Sequence, residues 1–432
     1  MLLYQNDIMM MRLGHVRRVV FLLFGVTIIS ILSTRFFADR SFLLTLLKNN
    51  DVSTTISSSQ YLQKDSSIAY APVMSSPEAG EKSPYRILPF IIRGGIKSPN
   101  DKPLPKITLC THATADKVYH VVDIVKKWEG PVSFSVFAPG NDARIAVDML
   151  DRACRCEPEM YKLSVHLIFL TADHLPTTVI NDKSQSKGDC AAWDLQWNDV
   201  DTERTRHRLI YPINVARNVA RNLATTSRVL VSDVELLPSD KLASGFMEMI
   251  HGRPPRFGLV FVVPVFEIEQ HQRPPTNKRE LMNAITNGLA VYFHKYICLH
   301  CQRFPGMTRW MLRPDPSRVR PLIVTRREYP HHRWEPLYIG TREDPLYNEE
   351  MSWEGRQDKM AQMLEMCLMN YRLIILDGAF LVHSPGIKRK VSKLNLLKNN
   401  LQQNYEMQNT RLYQIITRRL LKQYPVNRRC RQ

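Results

Sequence analysis

The sequence predicts an α/β domain on a mainly parallel sheet, preceded by a hydrophobic N-terminal segment and a linker. Three observations carry this prediction. Strands and amphipathic helices alternate from residue 106 onward, an apolar run without charge occupies residues 19–34, and residues 51–105 contain many Ser and scattered Pro. Strand–helix alternation is typical of parallel sheets. The length of 432 residues suffices for one large domain with accessory segments.

The apolar run at residues 19–34 is predicted to be a membrane anchor. Arginines precede it, and apolar residues extend it beyond Arg35. A membrane span takes about 20 residues, and a basic N-terminal flank favours a lumenal position for the rest of the chain. We predict a cytoplasmic tail at residues 1–18 and an anchor at residues 19–38. A cleaved signal peptide is the alternative, but no small-x-small cleavage site ends the run.

Residues 39–105 are predicted to form a stem between the anchor and the folded domain. Serines and prolines are scattered through residues 51–105, and apolar periodicity is weak. This composition is typical of a tether rather than of a packed core. The folded domain is therefore predicted to occupy residues 106–432.

Within that domain, apolar runs of strand length alternate with stretches of helical spacing. Strands are predicted at residues 107–111, 131–137, 163–170 and 229–231. Helices are predicted at residues 117–128, 143–154 and 213–225. The second half is less regular, with strands at residues 259–265, 323–325, 337–339, 373–376 and 380–382 and helices at 278–287 and 359–369. In parallel sheets, ligands gather at the carboxyl ends of strands.

Asp233 and Glu235 follow the apolar strand at residues 229–231. Residues two apart on a strand point the same way, so at the strand end both carboxylates can reach one divalent cation. Mg²⁺ and Mn²⁺ prefer such oxygen ligands and bridge the phosphates of nucleotides. Acidic residues also follow strands as turn formers, and spacing alone leaves both interpretations open.

Eight cysteines permit disulfides in an oxidising compartment. Cys298 and Cys301 form a CxxC pair with His294 and His300 nearby. A structural zinc site usually needs four ligands, often from two such pairs. A disulfide or a plain structural role is therefore the favoured prediction for this pair, and zinc is the alternative.

The formal net charge of +18 is unevenly distributed, because Lys and Arg dominate the chain from residue 388 to its end. Such charge first suggests nucleic acid, but no zinc-finger, RRM or helix-turn-helix signature accompanies it. A lumenal tail would meet anionic glycans, sugar nucleotides or lipid headgroups, and a solvated helix face explains the charge equally well. We predict a basic C-terminal helix and no nucleic-acid partner.

Seven further stretches, taken in order, resemble one protein family. They begin at residues 211, 231, 263, 298, 334, 376 and 424 and read YPINVARN, VSDVELLP, VPVFE, CLHCQ, WEPLY, LDGAFLVH and YPVNRRC. With them, residues 106–430 resemble the β-1,4-glucuronyltransferase family and are also similar to the second catalytic domain of the LARGE enzymes.

The resemblance implies a GT-A-type glycosyltransferase fold, a divalent cation (usually Mn²⁺) and a UDP-sugar donor. It implies inverting transfer of glucuronic acid from UDP-glucuronate to a xylose on the O-mannosyl glycan of dystroglycan. The family also shares the short anchor and Ser-rich stem, which implies a single-pass type II protein of the Golgi membrane with a lumenal catalytic domain. UDP-N-acetylglucosamine is an alternative donor, and a catalytically silent scaffold of another glycosyltransferase is a further alternative.

The resemblance also assigns roles to residues. Asp233 and Glu235 stand at the acid-x-acid metal motif, with Glu in place of the usual second Asp, and His383 stands where the family supplies an imidazole to the same metal. Arg217 and Asn218 fall in a region that lines the donor site, although a solvated face or helix cap explains them equally well.

Glu335 and Glu349 are candidates for the acceptor side or for the general base, which must remove a proton from the acceptor hydroxyl. Each is also explained as a surface carboxylate.

Overall fold

The structure is a computed structural model that describes residues 73–172, 190, 201–389 and 396–430. The predicted cytoplasmic tail, anchor and residues 39–72 of the stem lie outside the described residues. None of the helices in the described ranges is long and apolar enough to cross a membrane. The anchor therefore stays a prediction.

Strands of the described chain form two sheets. In chain order they are β1 (Met74–Ser75), β2 (Tyr85–Ile92), β3 (Ile107–Thr114), β4 (Val132–Phe137), β5 (Leu163–Leu170), β6 (Arg228–Val231), β7 (Leu236–Pro238), β8 (Leu259–Val263), β9 (Val265–Ile268), β10 (Ala290–Tyr292), β11 (Arg320–Thr325), β12 (Leu337–Thr341), β13 (Arg372–Asp377) and β14 (Leu381–His383). Most lie within or beside the runs that the sequence predicted.

The large sheet has the order β1-β2-β5-β4-β3-β6-β12-β8-β13-β11. Its central strands β5, β4, β3 and β6 are mutually parallel, and β8 is parallel to β13. By contrast, β12 runs antiparallel between β6 and β8, and β2 and β11 pair antiparallel near the edges. Six strands of this sheet therefore run in the same direction, with β12 reversed among them. The fold is a mixed α/β fold, because β12 returns through a loop connection that sequence alternation does not reveal.

Helices cover both faces of the sheet. They are α1 (Val121–Lys127), α2 (Asp142–Cys156), α3 (Glu203–Arg206), α4 (Ile213–Asn222), α5 (Leu242–Met249), α6 (Lys278–Thr286), α7 (Met307–Leu312), α8 (Met360–Leu368) and α9 (Leu396–Gln423), with 3-10 helices at Ala115–His120 and Pro158–Lys162. Helix α4 packs on β3 and β4, where the hydroxyls of Ser133 and Ser135 donate to the carbonyls of Ala220 and Ala216 at 2.6 and 2.7 Å. These bonds satisfy buried hydroxyls and fix α4 on the sheet.

The folded domain begins before residue 106. Strand β2 pairs with β5, and its Ile87 and Leu88 are 2% and 6% exposed. A bulge at Phe90, which adopts a φ of 54°, is closed by its N–H donating to Nδ1 of His166 at 3.0 Å. The stem prediction is therefore wrong for residues 74–92. The Pro and Ser residues of this segment conceal β2 in the sequence. The alternation of apolar and polar residues in β2 is weak because the strand lies near an edge of the sheet.

The small sheet has the order β10-β9-β14-β7. Strand β14 lies antiparallel to β7 and parallel to β9, so His383 is paired with Leu236 on one side and with Glu267 on the other. Since β7 follows the acidic pair directly, this register brings His383 beside Glu235.

Three disulfides join six of the eight cysteines: Cys156–Cys190, Cys298–Cys301 and Cys367–Cys430. The CxxC pair is thus a disulfide, as favoured from the sequence. The Cys367–Cys430 bond ties the C-terminal end to α8, and Ile416 and Leu420 of α9 pack against the same helix. The basic C-terminal segment therefore forms a helix, α9, that is anchored on the domain.

Candidate functional site

Asp233 lies just beyond the end of β6, where the sheet changes from parallel to antiparallel pairing. Its Oδ1 is 3.1 Å from Nη2 of Arg217 and 3.3 Å from Nε2 of His112. Burial raises the pKa of Asp233, but Lys359, Arg217 and His112 together hold it well below its usual value. About a third of the side chain, 35%, remains exposed. Asp233 is thus an ionised carboxylate at an open edge of a cationic cluster.

Glu235 and His383 form the second part of the site. Nε2 of His383 lies 3.1 Å from Oε2 of Glu235, and Nδ1 of His383 donates to the carbonyl of Gly386 at 2.8 Å. The contact with His383 lowers the pKa of Glu235 more than burial raises it. A carbonyl that holds Nδ1–H is the usual partner of a metal-binding imidazole, because it fixes the ring and directs Nε2 at the ligand.

The donor set fits a hard divalent cation. The Glu235 carboxylate, 36% exposed, contacts the imidazole of His383, whose far nitrogen is already satisfied, and the Asp233 carboxylate, 35% exposed, stands two residues before Glu235. Oxygen and imidazole ligands suit Mn²⁺. Asp233 is drawn toward Arg217, and the ligand atoms of Asp233, Glu235 and His383 are not all within 4.8 Å of one another. Among the described residues, only Cys298, His300 and Cys301 meet that limit, and there the two sulfurs are bonded to each other.

Arg217 lies in the site, as the resemblance implies. It is buried and holds neighbouring side chains in position. It is 2% exposed, and its guanidinium donates to Asn214, Asp358 and Asp233 and lies 5.4 Å from the ring of Tyr347. Burial opposes its charge, yet Asp358 and Asp233 raise the pKa of Arg217 above its usual value. Arg217 therefore sets the position and charge of Asp233.

Asn218 and Glu349 lie together in a different place from the metal candidates. The Asn218 amide donates to the carbonyl of Tyr347 at 2.8 Å and to Glu349 at 3.0 Å. The Glu349 carboxylate also accepts from the backbone N–H groups of Glu78 and Ala79, both at 3.1 Å. Both residues join the segment before β2 to α4. A donor-lining role for Asn218 and a general-base role for Glu349 are thus not supported, because their polar atoms are engaged within the protein.

Replacing Glu349 by Gln is expected to lower stability and leave catalysis intact. The substitution turns one acceptor toward the N–H groups of Glu78 and Ala79 into a donor, which costs about 1 kcal/mol. Urea unfolding and kcat measured on the same preparation check this. Glu350→Gln is the control, because Glu350 only faces Arg419 at 3.8 Å. A Glu349→Gln enzyme with wild-type stability and a greatly reduced kcat would contradict the structural role.

Glu335 lies on the same side as the cationic cluster. Its backbone N–H donates to the carbonyl of Cys301 at 2.9 Å, and its carbonyl accepts from Gln302 at 2.8 Å, so the disulfide loop holds it in place. Burial raises the pKa of the Glu335 carboxyl, with Lys359 opposing the rise and Asp358 adding to it. A partly buried carboxyl with a raised pKa is typical of a general base.

Three residues of the site escape prediction from the sequence. His112 lies in the last part of β3, beside Asp233, and is 4% exposed; its Nδ1 contacts the hydroxyl of Tyr211 at 2.8 Å. The pKa of His294 falls to about 3 through burial and the charge of Lys388, so its imidazole stays neutral. The fully buried Glu267 accepts from the N–H groups of His294 and Lys388 at 3.2 and 3.3 Å. A polar residue at the end of a buried parallel strand is the signal that would have indicated His112.

Most of the described domain matches a known protein family. Residues 106–425 match the profile of a family described as "Glycosyl-transferase for dystroglycan". The chain belongs to this glycosyltransferase family. All of the site residues discussed above lie within the matched range, whereas β1 and β2 precede it.

The relatives of this glycosyltransferase include named enzymes. Beta-1,4-glucuronyltransferase 1 of Homo sapiens is 29% identical over 355 residues, which cover 79% of this chain and 81% of that protein. The Danio rerio protein of the same name is 27% identical over 315 residues, with 69% and 72% covered. Xylosyl- and glucuronyltransferase LARGE1 of Danio rerio is 22% identical over 320 residues, 69% of this chain and 35% of that protein.

Among solved structures, the crystal structure of S. aureus TarS 1-349 gives a TM-score of 0.34 at 11% identity, covering 65% of this chain and 60% of that one. A TM-score this low supports no inference about the glycosyltransferase.

Proposed function

We propose that the chain is a metal-dependent, inverting glucuronyltransferase with a GT-A-type domain. Its donor is UDP-glucuronate, and its acceptor is a xylose-terminated O-mannosyl glycan of the dystroglycan type. The observation that carries this proposal is the pairing of Glu235 with His383 beside the ionised Asp233, in a chain 29% identical to a beta-1,4-glucuronyltransferase. The loop with Asp233 and Glu235 connects β6 of the large sheet to β7 of the small sheet. This arrangement supports the GT-A assignment.

Asp233, Glu235 and His383 would hold the divalent cation, which offsets the charge that develops on the UDP leaving group. The resemblance implies Mn²⁺ as this cation, and oxygen and imidazole ligands suit it. Arg217 keeps Asp233 ionised and oriented, and Glu267 fixes the backbone of the His294 and Lys388 segments that border His383. Asp233, Glu235 and His383 would thus orient the donor diphosphate through the cation.

Glu335 would act as the general base. The acceptor hydroxyl oxygen attacks the anomeric carbon, its proton moves to the Glu335 carboxylate, and the bond from the anomeric carbon to the UDP oxygen breaks. The raised pKa of Glu335 improves its proton affinity at neutral pH. Attack opposite the departing UDP converts an α-linked donor to a β-linked product.

The Glu335→Gln variant is expected to lose about 10²- to 10⁴-fold in kcat, the usual contribution of a general base. Glu335 must be ionised to accept a proton. Because its pKa is raised, wild-type kcat is expected to fall as the pH decreases through a value above the usual pKa of Glu. Gln does not titrate, so the variant lacks this acid limb. A pH–rate profile from pH 4.5 to 8 checks both statements. If kcat of Glu335→Gln still falls at low pH as it does in the wild type, another residue is the general base.

A donor screen tests the proposed function. Purified residues 73–432 with Mn²⁺ and a β-xyloside are expected to release UDP from UDP-glucuronate at least tenfold faster than from UDP-N-acetylglucosamine, UDP-glucose or UDP-xylose. Omission of the xyloside measures background hydrolysis. Preference for UDP-N-acetylglucosamine would replace the donor, and no release from any UDP-sugar would favour a silent scaffold.

We further propose that the chain resides in the Golgi membrane as a single-pass type II protein. The apolar run at residues 19–34 and its basic flank support this orientation. Residues 106–432 should resist protease in intact microsomes and become sensitive after detergent. Digestion without detergent would contradict a lumenal domain and reopen the question of a cytosolic partner for the basic helix α9.

A further inference from the structure

Three cations lie near the candidate site residues, and they are not equivalent: Arg217 and Lys359 belong to the Asp233 part, and Lys388 lies near His383. Arg217 lies beside Asp233 but is 2% exposed and donates to Asn214, Asp358 and Asp233. Its guanidinium is engaged by other side chains of the protein and is not available to a ligand. An anionic substrate must therefore be recognised by another cation.

On the Asp233 side, Lys359 is the cation whose hydrogen-bond donors remain available. Its side chain is 14% exposed, and its nearest anion is Asp358, with Nζ 3.9 Å from Oδ2. At that distance the ammonium makes an ion pair but no hydrogen bond. A lysine ammonium carries three donors, so Lys359 combines a buried stem with donors available to a ligand.

The charge of Lys359 acts on both ends of the proposed reaction. Contacts connect Lys359 to Asp233: its Nζ lies 3.9 Å from Asp358, which pairs with Arg217. Nη2 of Arg217 in turn lies 3.1 Å from Oδ1 of Asp233. In keeping with this placement, the charge of Lys359 lowers the pKa of Asp233, a candidate metal ligand, and opposes the rise in the pKa of Glu335, the candidate base. The metal side receives the diphosphate and the base faces the acceptor, so the sugar of the donor occupies the space between them. Lys359 therefore borders the sugar.

Lys388 lies near the His383 part of the site. Its Nζ lies 5.6 Å from the centre of the Phe293 ring, which is 5.6 Å from the ring of His383, and its backbone N–H donates to Glu267. Its charge lowers the pKa of Glu235 but is not among the main influences on Glu335. Lys388 therefore borders the diphosphate end of the donor.

We propose that Lys359 binds the carboxylate of a uronic acid in the donor and so selects an anionic sugar over a neutral one. This inference rests on the proposed glucuronyl transfer. A charge-assisted hydrogen bond between ammonium and carboxylate in a partly desolvated site is among the stronger polar contacts. A neutral hexose in the same place leaves the ammonium unpaired, which penalises the wrong donor.

The experiment compares Lys359→Met and Lys388→Met with UDP, UDP-glucose and UDP-glucuronate. Lys359→Met is expected to lower the ratio of kcat/KM for UDP-glucuronate to kcat/KM for UDP-glucose by about 100-fold, in addition to any loss that both donors share. Lys388→Met is expected to weaken UDP and both donors to a similar degree. Lys359→Arg, which keeps the charge, should retain part of the preference.

Equal loss of UDP and UDP-glucuronate affinity in Lys359→Met would overturn the inference and move Lys359 to the diphosphate. A further readout uses the wild-type enzyme alone, because equal binding of UDP-glucose and UDP-glucuronate without acceptor also overturns it. If wild type uses UDP-glucuronate while Lys359→Met keeps its donor preference, only the role of Lys359 fails. If wild type uses no UDP-glucuronate, the proposed function itself fails.

Discussion

The Asp233→Asn variant is expected to lose at least about 100-fold in kcat/KM at saturating Mn²⁺. The substitution removes one anionic oxygen from the proposed cation site and one partner from Arg217 and Lys359. Loss of residues that merely orient a ligand already costs roughly 10- to 100-fold, so loss of a ligand itself costs more. UDP release measured against Mn²⁺ concentration should also show a much weaker metal requirement.

Asp240→Asn is the matched control for this measurement. Asp240 follows β7 on the same stretch of chain, but its side chain is 54% exposed and faces only Lys127, at 3.4 Å. Its substitution should leave kcat and the Mn²⁺ dependence unchanged. An Asp233→Asn enzyme within twofold of wild type would remove the metal role from this loop.

A chain that begins at residue 106 is expected not to fold stably, whereas one that begins at residue 73 should. The longer chain keeps β2, which covers the edge of β5 and buries Ile87 and Leu88. Burial of each such side chain contributes about 2 kcal/mol, and the backbone pairs of β2 add to this. Net stabilities are only about 5–15 kcal/mol, so the loss consumes much of the total.

Soluble yield and thermal unfolding followed by circular dichroism compare the two chains. The shorter chain also lacks Glu78 and Ala79, which bind Glu349. We therefore expect aggregation or a melting temperature lower by about 5 °C or more, since about 1 kcal/mol corresponds to roughly 1–2 °C in a domain of more than 300 residues. A cooperative transition within 2 °C of the longer chain would contradict the assignment of β1 and β2 to the domain.

The sequence predicts much of the metal candidate because two kinds of local pattern converge there. The strand before Asp233 and the strand ending at His383 are short apolar runs, which periodicity detects. Their pairing is not local. His383 meets Glu235 because β14 pairs with β7, and that register depends on the whole small sheet.

The features that the sequence does not reveal have a common physical origin in long-range contacts. Asn218 and Glu349 are 131 residues apart in sequence, and Glu349 reaches Glu78 across 271 residues. Local conformational propensities do not encode contacts between residues so far apart in the sequence. Likewise, β12 is inserted antiparallel between β6 and β8, although alternation of strands and helices predicts a mainly parallel sheet. Side chains that look catalytic by type are here engaged in holding distant segments together.

Calorimetric titration of UDP into residues 73–432, with and without Mn²⁺, tests the central claim most directly. The account predicts UDP binding that requires Mn²⁺ and that is lost in Asp233→Asn and in His383→Ala, while Glu349→Gln binds as wild type does. Glu235→Asp should keep the metal requirement, because a carboxylate remains. Equal UDP affinity with and without Mn²⁺, or unchanged Mn²⁺-dependent affinity in both Asp233→Asn and His383→Ala, would contradict a metal site formed by Asp233, Glu235 and His383.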